Sequence, residues 1–303
     1  SVVRTFRHIR ILQIGPRPYD FFTTMCNEGE LLEKFHVELS PIPLPELTKE
    51  MKKAIEENTE VAETISYIKE NMTVKLNDQE LQNVAALKVA MKHLIVKYGC
   101  QAGAIQCWNA LQDELGIMPC AANSLLNEEG IPVVCETDIH GAITALMVEA
   151  AALDGTRSFF ADWTIRHPDV ANGELLQHCG PWPISVAKET PKLTYPLAFD
   201  HPGSITAEAR HGEVTLVRFD GDHGEYSMLL GNAKGIEGPK GMGTYLWVEV
   251  ENIKRLEAKL VEGQYIHHCV GIHGNVVPVL YEACKYLGIT PDLYDPVEED
   301  VKA

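Results

Sequence analysis

Two short apolar runs in this chain each end on a carboxylate. Val133-Val134-Cys135-Glu136 leads into Thr137-Asp138, and Phe159-Phe160-Ala161-Asp162 leads into Trp163. Runs of this kind cross a core as buried strands, and an acid at the end of one is costly unless it meets a metal, a partner or solvent. Glu136 and Asp162 are 26 residues apart with a helix-like segment between them, so both can face one crevice. A later stretch, Tyr265-Ile266-His267-His268-Cys269-Val270-Gly271-Ile272-His273-Gly274, supplies imidazoles. Neighbours on an extended strand point to opposite faces, so only one of His267 and His268 is expected in a given site, with His273 facing away from His268. Two carboxylates and one imidazole form a hard donor set that favours Mn2+ or Mg2+ over zinc or copper. Three protein ligands leave positions open for water or for vicinal substrate oxygens. His178, in Leu175-Leu176-Gln177-His178-Cys179-Gly180, is a candidate fourth ligand, although a lone histidine is more often a satisfied core residue.

Other patterns carry less. The glycine-rich run Gly235–Gly243 lacks the spacing of a phosphate loop, holds Pro239 and reads as a mobile loop. Ile14-Gly15-Pro16-Arg17-Pro18 is no dinucleotide fingerprint, because its prolines disfavour a phosphate-binding helix start. The eight cysteines show no C-x-x-C and fit reduced thiols, several of them packed behind the polar residues Glu136, His178 and His268. A net charge of −17 argues against nucleic acid or an anionic membrane as partner. No apolar run reaches the length of a membrane span, and the start lacks a signal-peptide core, which gives a cytoplasmic expectation.

The elements that must position these residues follow from periodicity. Residues 8–15 read as a first strand and Phe35–Ile42 as a second. Thr48 is expected to cap a long helix reaching about Asn71, and Asn77 or Asp78 to open another, stopped by Gly99. Ala102–Trp108 is an apolar strand ending in polar groups, Ile131–Glu136 another, residues 141–153 a helix and Phe159–Asp162 a strand. Strand, helix, strand in this rhythm implies βαβ units and a parallel sheet, with ligands beyond the carboxyl ends of the strands, where Gln106, Glu136 and Asp162 fall. Residues 180–204, with five prolines, read as a linker or meandering loop. Beyond them Glu213–Phe219 and Glu225–Leu230 form a hairpin, Thr244–Val250 a strand and Val276–Leu287 a helix. The expected class is α/β: a parallel-sheet, Rossmann-like domain followed by a β-rich antiparallel α+β C-terminal domain.

In order along the chain, Leu12-Gln13-Ile14-Gly15-Pro16-Arg17-Pro18, Ile105-Gln106-Cys107-Trp108, Cys135-Glu136-Thr137-Asp138-Ile139-His140-Gly141-Ala142, Phe160-Ala161-Asp162-Trp163, His178-Cys179-Gly180 and His267-His268 resemble the L-fucose/L-arabinose isomerase superfamily, its fucose isomerase branch in particular. The resemblance implies an enzyme interconverting aldoses and ketoses with Mn2+, Mg2+ or another divalent ion, held by Glu136, Asp162 and His268. In the arabinose isomerase branch a further histidine follows the second acid, which falls on His178. Gln106 and His267 become substrate-binding candidates. A small-molecule sugar is then the partner, with no nucleic acid and no membrane, in a homo-oligomer, trimeric or hexameric. The family carries an additional N-terminal α/β domain, so this chain corresponds to the part that follows it, divided at 1–155 and 156–303 with Asp162 and His268 in the second part. A divalent ion on O1 and O2 of an open-chain sugar stabilises an enediolate as it develops, while the two acids move the proton. A hydride shift is the competing route, and a non-catalytic sugar-binding or regulatory remnant the competing function. A third reading makes both acids solvated strand ends.

Overall fold

Short buried strands alternating with amphipathic helices build the first half of the protein, and long strands the second. The computed structural model describes residues 1–196, 201–263 and 265–295. The chain opens with α1 (Val2–Phe6), β1 (Arg10–Ile14), α2 (Glu28–Phe35), β2 (Glu38–Ile42), α3 (Leu44–Glu57), α4 (Thr59–Asn71) and the short β3 (Thr73–Val74). It continues with α5 (Asp78–Lys97), β4 (Ala102–Ile105), α6 (Ala110–Leu115), α7 (Cys120–Glu128), β5 (Val133–Val134) and α8 (Ile139–Ala152). β1, β2, β4 and β5 form a four-stranded parallel sheet in the order β2-β1-β4-β5. As a parallel sheet requires, both faces are covered. Leu12 and Ile14 pack with α3, α4, α5 and α7 on one side, and Ile11 and Ala102 with α1, α2 and α8 on the other.

Several boundaries differ from the expectation for local reasons. α1 precedes the first strand, and Phe35 closes α2 instead of opening β2. The long helix begins at Leu44, with a proline in its first turn, and breaks at Asn58. That asparagine adopts φ 58°, a left-handed conformation this side chain tolerates better than most. Asn77 does cap α5, accepting the Glu80 amide at 2.9 Å while the Glu80 carboxylate accepts the Asn77 amide at 2.9 Å.

The remaining strands are β6 (Phe159–Arg166), β7 (Gly173–His178), β8 (Lys192–Thr194), β9 (Ser204–Glu208), β10 (Glu213–Asp222), β11 (Glu225–Ile236), β12 (Thr244–Glu249), β13 (His268–His273) and β14 (Thr290–Asp295). Helices α9 (Ile253–Val261) and α10 (Val277–Leu287) lie among them. With β3 they form a ten-stranded mixed sheet, order β14-β11-β10-β13-β6-β7-β12-β9-β8-β3. A further pairing of β11 with β12 closes β10-β13-β6-β7-β12-β11 into an antiparallel ring, so the expected α+β half is organised around a small barrel. Phe159, Ala161, Trp163, Leu176, Leu246 and Cys269 belong to its core. Alternate residues Phe160 and Val270 pack instead with Ile139, Ala142 and Ile143 of α8. α8 is buried along almost its whole length because it lies between the two sheets.

The hairpin at Asp222–Glu225 turns through His223 and Gly224, both at positive φ (53° and 79°), as a two-residue turn of this hand requires. The proline-rich stretch is more ordered than a linker: it holds a 3-10 turn at Ile184–Val186, β8 and the start of β9, while its residues 197–200 lie outside the described part. Gly235 and Ile236 complete β11, and the loop after them is tied down by Trp247 Nε1 donating to the Pro239 carbonyl at 2.7 Å and Gln177 Nε2 to that of Met242 at 2.6 Å.

Glu174 on β7 is buried, its Oε2 without a hydrogen-bond partner and 4.0 Å from Arg166. Burial pushes its carboxyl up to about 7, with the charge of Glu257 adding to the shift and Arg166 opposing it. The folded chain therefore holds this proton more tightly than the unfolded one, whose glutamate titrates near 4.3. Stability from the protonated form is complete below about pH 4.3 and is lost as pH rises through about 7. Glu174→Gln should raise the melting temperature relative to the parent at pH 8 and by clearly less at pH 5. A difference independent of pH would remove this account.

Candidate metal centre

The turn from β5 into α8 uses an unusual backbone. Glu136 and Thr137 both have left-handed φ, 58° and 54°, a conformation that costs on the order of 1–3 kcal/mol per non-glycine residue. It is held by hydrogen bonds on every side. Glu136 N donates to Cys107 Sγ at 3.3 Å, Thr137 N to the Ile105 carbonyl at 3.1 Å, Thr137 Oγ1 to the Pro16 carbonyl at 3.1 Å and Asp138 N to the Cys135 carbonyl at 3.2 Å. Asp138 then caps α8, its Oδ1 accepting the Gly141 amide at 2.9 Å. Gly141 is required there, since a Cβ would come within 2.6 Å of the Phe160 ring and 2.8 Å of Asp138 Oδ2.

The barrel brings the other donors. Asp162 on β6 stands directly opposite His268 on β13, one pair beyond Ala161 and Cys269, and His178 is the last residue of β7. His268 Nε2 lies 2.9 Å from Glu136 Oε2 and 3.5 Å from Asp162 Oδ1. His178 Nε2 is 3.9 Å from the same glutamate oxygen and 3.8 Å from the same aspartate oxygen. Three of these buried atoms, Asp162 Oδ1, His178 Nε2 and His268 Nε2, have no hydrogen-bond partner. The other Glu136 oxygen accepts Trp108 Nε1–H at 3.1 Å.

Behind the donors lies a buried ionic chain. His268 Nδ1 is 2.8 Å from Asp138 Oδ2, which also receives Arg218 Nη1, while Arg218 Nη2 donates to Asp138 Oδ1 at 3.2 Å. Arg218 Nε donates to Asp220 Oδ2 at 3.0 Å, and His140 Nδ1 meets Asp220 Oδ1 at 2.9 Å. Four carboxylates with one guanidinium draw positive charge into the space between them. Burial alone would lower the proton affinity of His268, but its contact with Asp138 and the nearby Glu136 carboxylate overcome this and hold it up at about 10. Burial likewise pushes the Glu136 carboxyl up, and the adjacent His268, the charge of His178 and the Trp108 N–H bring it down to about 2. Asp138 lies well below the usual carboxylate range: burial raises it, and the Arg218 charge with the His268 bond prevails.

Glu136, His178 and His268 thus meet in one buried cluster, and Asp162 borders it with His267. Both histidines of the pair approach Asp162, His267 Nε2 at 3.9 Å, which the alternation argument did not allow. The reason is that β13 begins at His268, so the pleat does not extend back to His267, which stays half exposed. His273 turns away as expected and meets the Arg210 carbonyl at 2.8 Å. Gln106, just past β4, lies over Gly15, whose Cβ would stand 2.7 Å from Gln106 Oε1. Cys135 and Cys269 are buried beside the cluster, as their neighbours in sequence implied, and the cysteines are free. Asp138, Arg218 and Trp108 were not among the expected site residues. An arginine between Val217 and Phe219 in an otherwise apolar strand was the available signal for the ionic chain.

Donor atoms bound about 2.1 Å from one octahedral ion lie about 3.0 Å apart when adjacent and about 4.2 Å when opposite. The four observed separations, 2.9–3.9 Å from the Nε2 atoms of His178 and His268 to Glu136 Oε2 and Asp162 Oδ1, fit such an ion. A second group, Glu208, His211 and Glu237, differs: Lys188 Nζ already sits 3.5 and 3.1 Å from its two carboxylates.

No protein-family model matches the chain. It is similar to proteins named sulfoquinovose isomerase. The one from Priestia aryabhattai is 28% identical over 301 residues, 97% of this chain and 66% of the relative. The one from Alkalicoccus urumqiensis is 26% identical over 287 residues, 93% and 64% of the two chains, and the one from Clostridium sp. (strain MSTE9) 23% over 305 residues. The chain therefore spans just under two thirds of the length of the first two relatives. Among the described residues no helix is long and apolar enough to cross a membrane.

Addition of Mn2+ at about 100 times its dissociation constant should stabilise the folded chain by about 2.7 kcal/mol, and EDTA should reverse the gain. The rise in melting temperature should vanish in Glu136→Gln and in His268→Gln. An equal rise in those variants would place the ion elsewhere.

Proposed function

We propose that this chain is the metal-binding, catalytic part of an aldose–ketose sugar isomerase of the L-fucose/L-arabinose isomerase type. The observation that carries the reading is that the buried Nε2 atoms of His178 and His268 each lie within 3.9 Å of both Glu136 Oε2 and Asp162 Oδ1. Its support is similarity over 97% of the chain to proteins named as sugar isomerases. Glu136, Asp162 and His268 would hold the ion, Mn2+ first and Mg2+ as the alternative, with His178 beside them. The ion would supply positive charge against the negative charge that develops on O1 and O2 as a carbon-bound proton leaves.

The chain's own residues do the rest. Glu136 is ionised by its contacts with His268 and Trp108, so it can accept a proton from C2. Asp162, the more solvent-accessible of the two acids, would take the proton of the O2 hydroxyl and deliver it at C1, while Glu136 returns its proton to O1. Gln106 and His267 bind sugar hydroxyls at the rim. Phe21, its ring 5.7 Å from that of Trp108, helps shield the cluster from water on that side. Assembly as a homo-oligomer belongs to the same proposal and is checked by light scattering.

For the substrate, the relatives point to sulfoquinovose, a hexose whose sulfonate is anionic. An acidic site in a chain of charge −17 repels such a ligand unless a cation stands at its rim. Arg17 supplies one, next to the Pro16 carbonyl that accepts Thr137 Oγ1 and stacked 5.1 Å from the Phe22 ring.

Sugar exchange followed by NMR should require Mn2+ or Mg2+. Glu136→Gln and Asp162→Asn should each lower kcat by about 10²–10⁴. Sugar binding without turnover in the parent protein would favour the regulatory remnant instead. Arg17→Ala should raise KM for a sulfonated hexose by more than for its uncharged counterpart. Equal effects on both would take the sulfonate away from Arg17.

A further inference from the structure

The two imidazoles of the cluster are held at their far nitrogens in opposite senses. At His268, Nδ1 faces an Asp138 oxygen at 2.8 Å. Asp138 is fully buried against Arg218, a group that stays charged, so its carboxylate is ionised and can only accept. The ring must donate Nδ1–H, which leaves the Nε2 lone pair free for an ion. At His178 the partner is the backbone N–H of Cys179, 2.9 Å from Nδ1. An amide N–H can only donate, so Nδ1 keeps its lone pair and the neutral ring carries its proton on Nε2. That Nε2 is buried and unpartnered, and it stands 3.8–3.9 Å from the two carboxylates where His268 Nε2 stands 2.9–3.5 Å away.

From these contacts we infer that the two histidines divide the work: His268 is the metal ligand, and His178 donates Nε2–H to an oxygen of the bound sugar. Asp138 and Arg218 are positioning residues that fix the His268 ring in the ligating tautomer. The inference rests on reading the cluster as a metal centre. The ionic chain gives the arrangement its stiffness. Arg218 reaches Asp138 through both terminal nitrogens and Asp220 through Nε, and Asp220 is tied in turn to His140. Phe219 N donates to Thr144 Oγ1 at 3.0 Å, which pins that strand to the helix Asp138 caps. His178 has no such chain behind its ring, only its own neighbour's amide.

The test is the Mn2+ affinity of the full chain, measured by titration of free Mn2+ with electron paramagnetic resonance. His268→Gln should weaken binding by more than about 100-fold and Asp138→Asn by about 10–100-fold, as loss of a ligand's orienting partner does. His178→Gln keeps an N–H donor and should leave affinity within about threefold while raising KM for the sugar. Equal losses in His178→Gln and His268→Gln would overturn the division of roles. Unchanged affinity in a folded Asp138→Asn would reduce that residue to a helix cap. Should a variant fail to fold, 15N-histidine-labelled parent protein loaded with 113Cd2+ carries the test. Cadmium–nitrogen coupling to one ring, His268, is expected, and coupling to a second ring overturns the inference. A parent chain that takes up neither Mn2+ nor Cd2+ would overturn the metal reading itself, a separate outcome.

Discussion

Asp138 is the residue on which the rest of this site depends. It caps the helix that fills the space between the two sheets, takes both terminal nitrogens of a buried arginine and accepts the ring N–H of His268. Any one of these contacts is ordinary. Together they tie the α/β layer, β10 and β13 to a single carboxyl group that is almost wholly buried. A charge in that position is tolerated only because each of its lone pairs is met, and removing one partner leaves the others exposed to the full cost of an unpaired buried ion.

The apolar packing explains how such a polar knot survives. α8 is apolar on nearly all sides and meets Phe160, Val217 and Val270 of the barrel as well as Ile11 and Ala104 of the parallel sheet. Burying one large aliphatic or aromatic side chain contributes about 1.5–3 kcal/mol, so a few such residues offset the strain at Glu136 and Thr137. The strain has a use. The left-handed turn re-aims Glu136 away from the alternating faces of an extended strand and sets it 2.9 Å from His268. Closing the barrel matters for a related reason. Pairing in register across β6 and β13 sets Asp162 opposite His268 without any loop that must order on binding.

The electrostatics favour a cation over any other occupant. Carboxylates outnumber the one guanidinium, two imidazole nitrogens face inward unpartnered, and the aromatic Phe21–Trp108 pair covers one side. A proton on His268 and a divalent ion answer the same demand, and the ion answers more of it. In the proposed reaction, the two acids would hold the ion and stand close to the substrate oxygens. The rim, by contrast, is built from loops, and loops are where related proteins on one scaffold come to differ in the sugar they accept.

Much of this was written into local sequence. The βαβ rhythm, a helix start at Asn77 or Asp78 and a hairpin between Phe219 and Glu225 each depend on a few neighbouring residues, and each could be read locally, whereas the strand expected to end at Asp162 runs on to Arg166 because its pairing with β7 continues past that acid. The break at Asn58 and the helix over residues 28–35 were missed because apolar periodicity alone does not register a left-handed residue or a short helix ahead of a strand. The barrel closure, the approach of both His267 and His268 to Asp162 and the Asp138–Arg218–Asp220 chain belong to the tertiary structure. Each joins residues up to 130 positions apart through bonds whose geometry no local pattern encodes. Sequence sets which side chains carry the donor atoms, and only packing decides what each ring nitrogen meets.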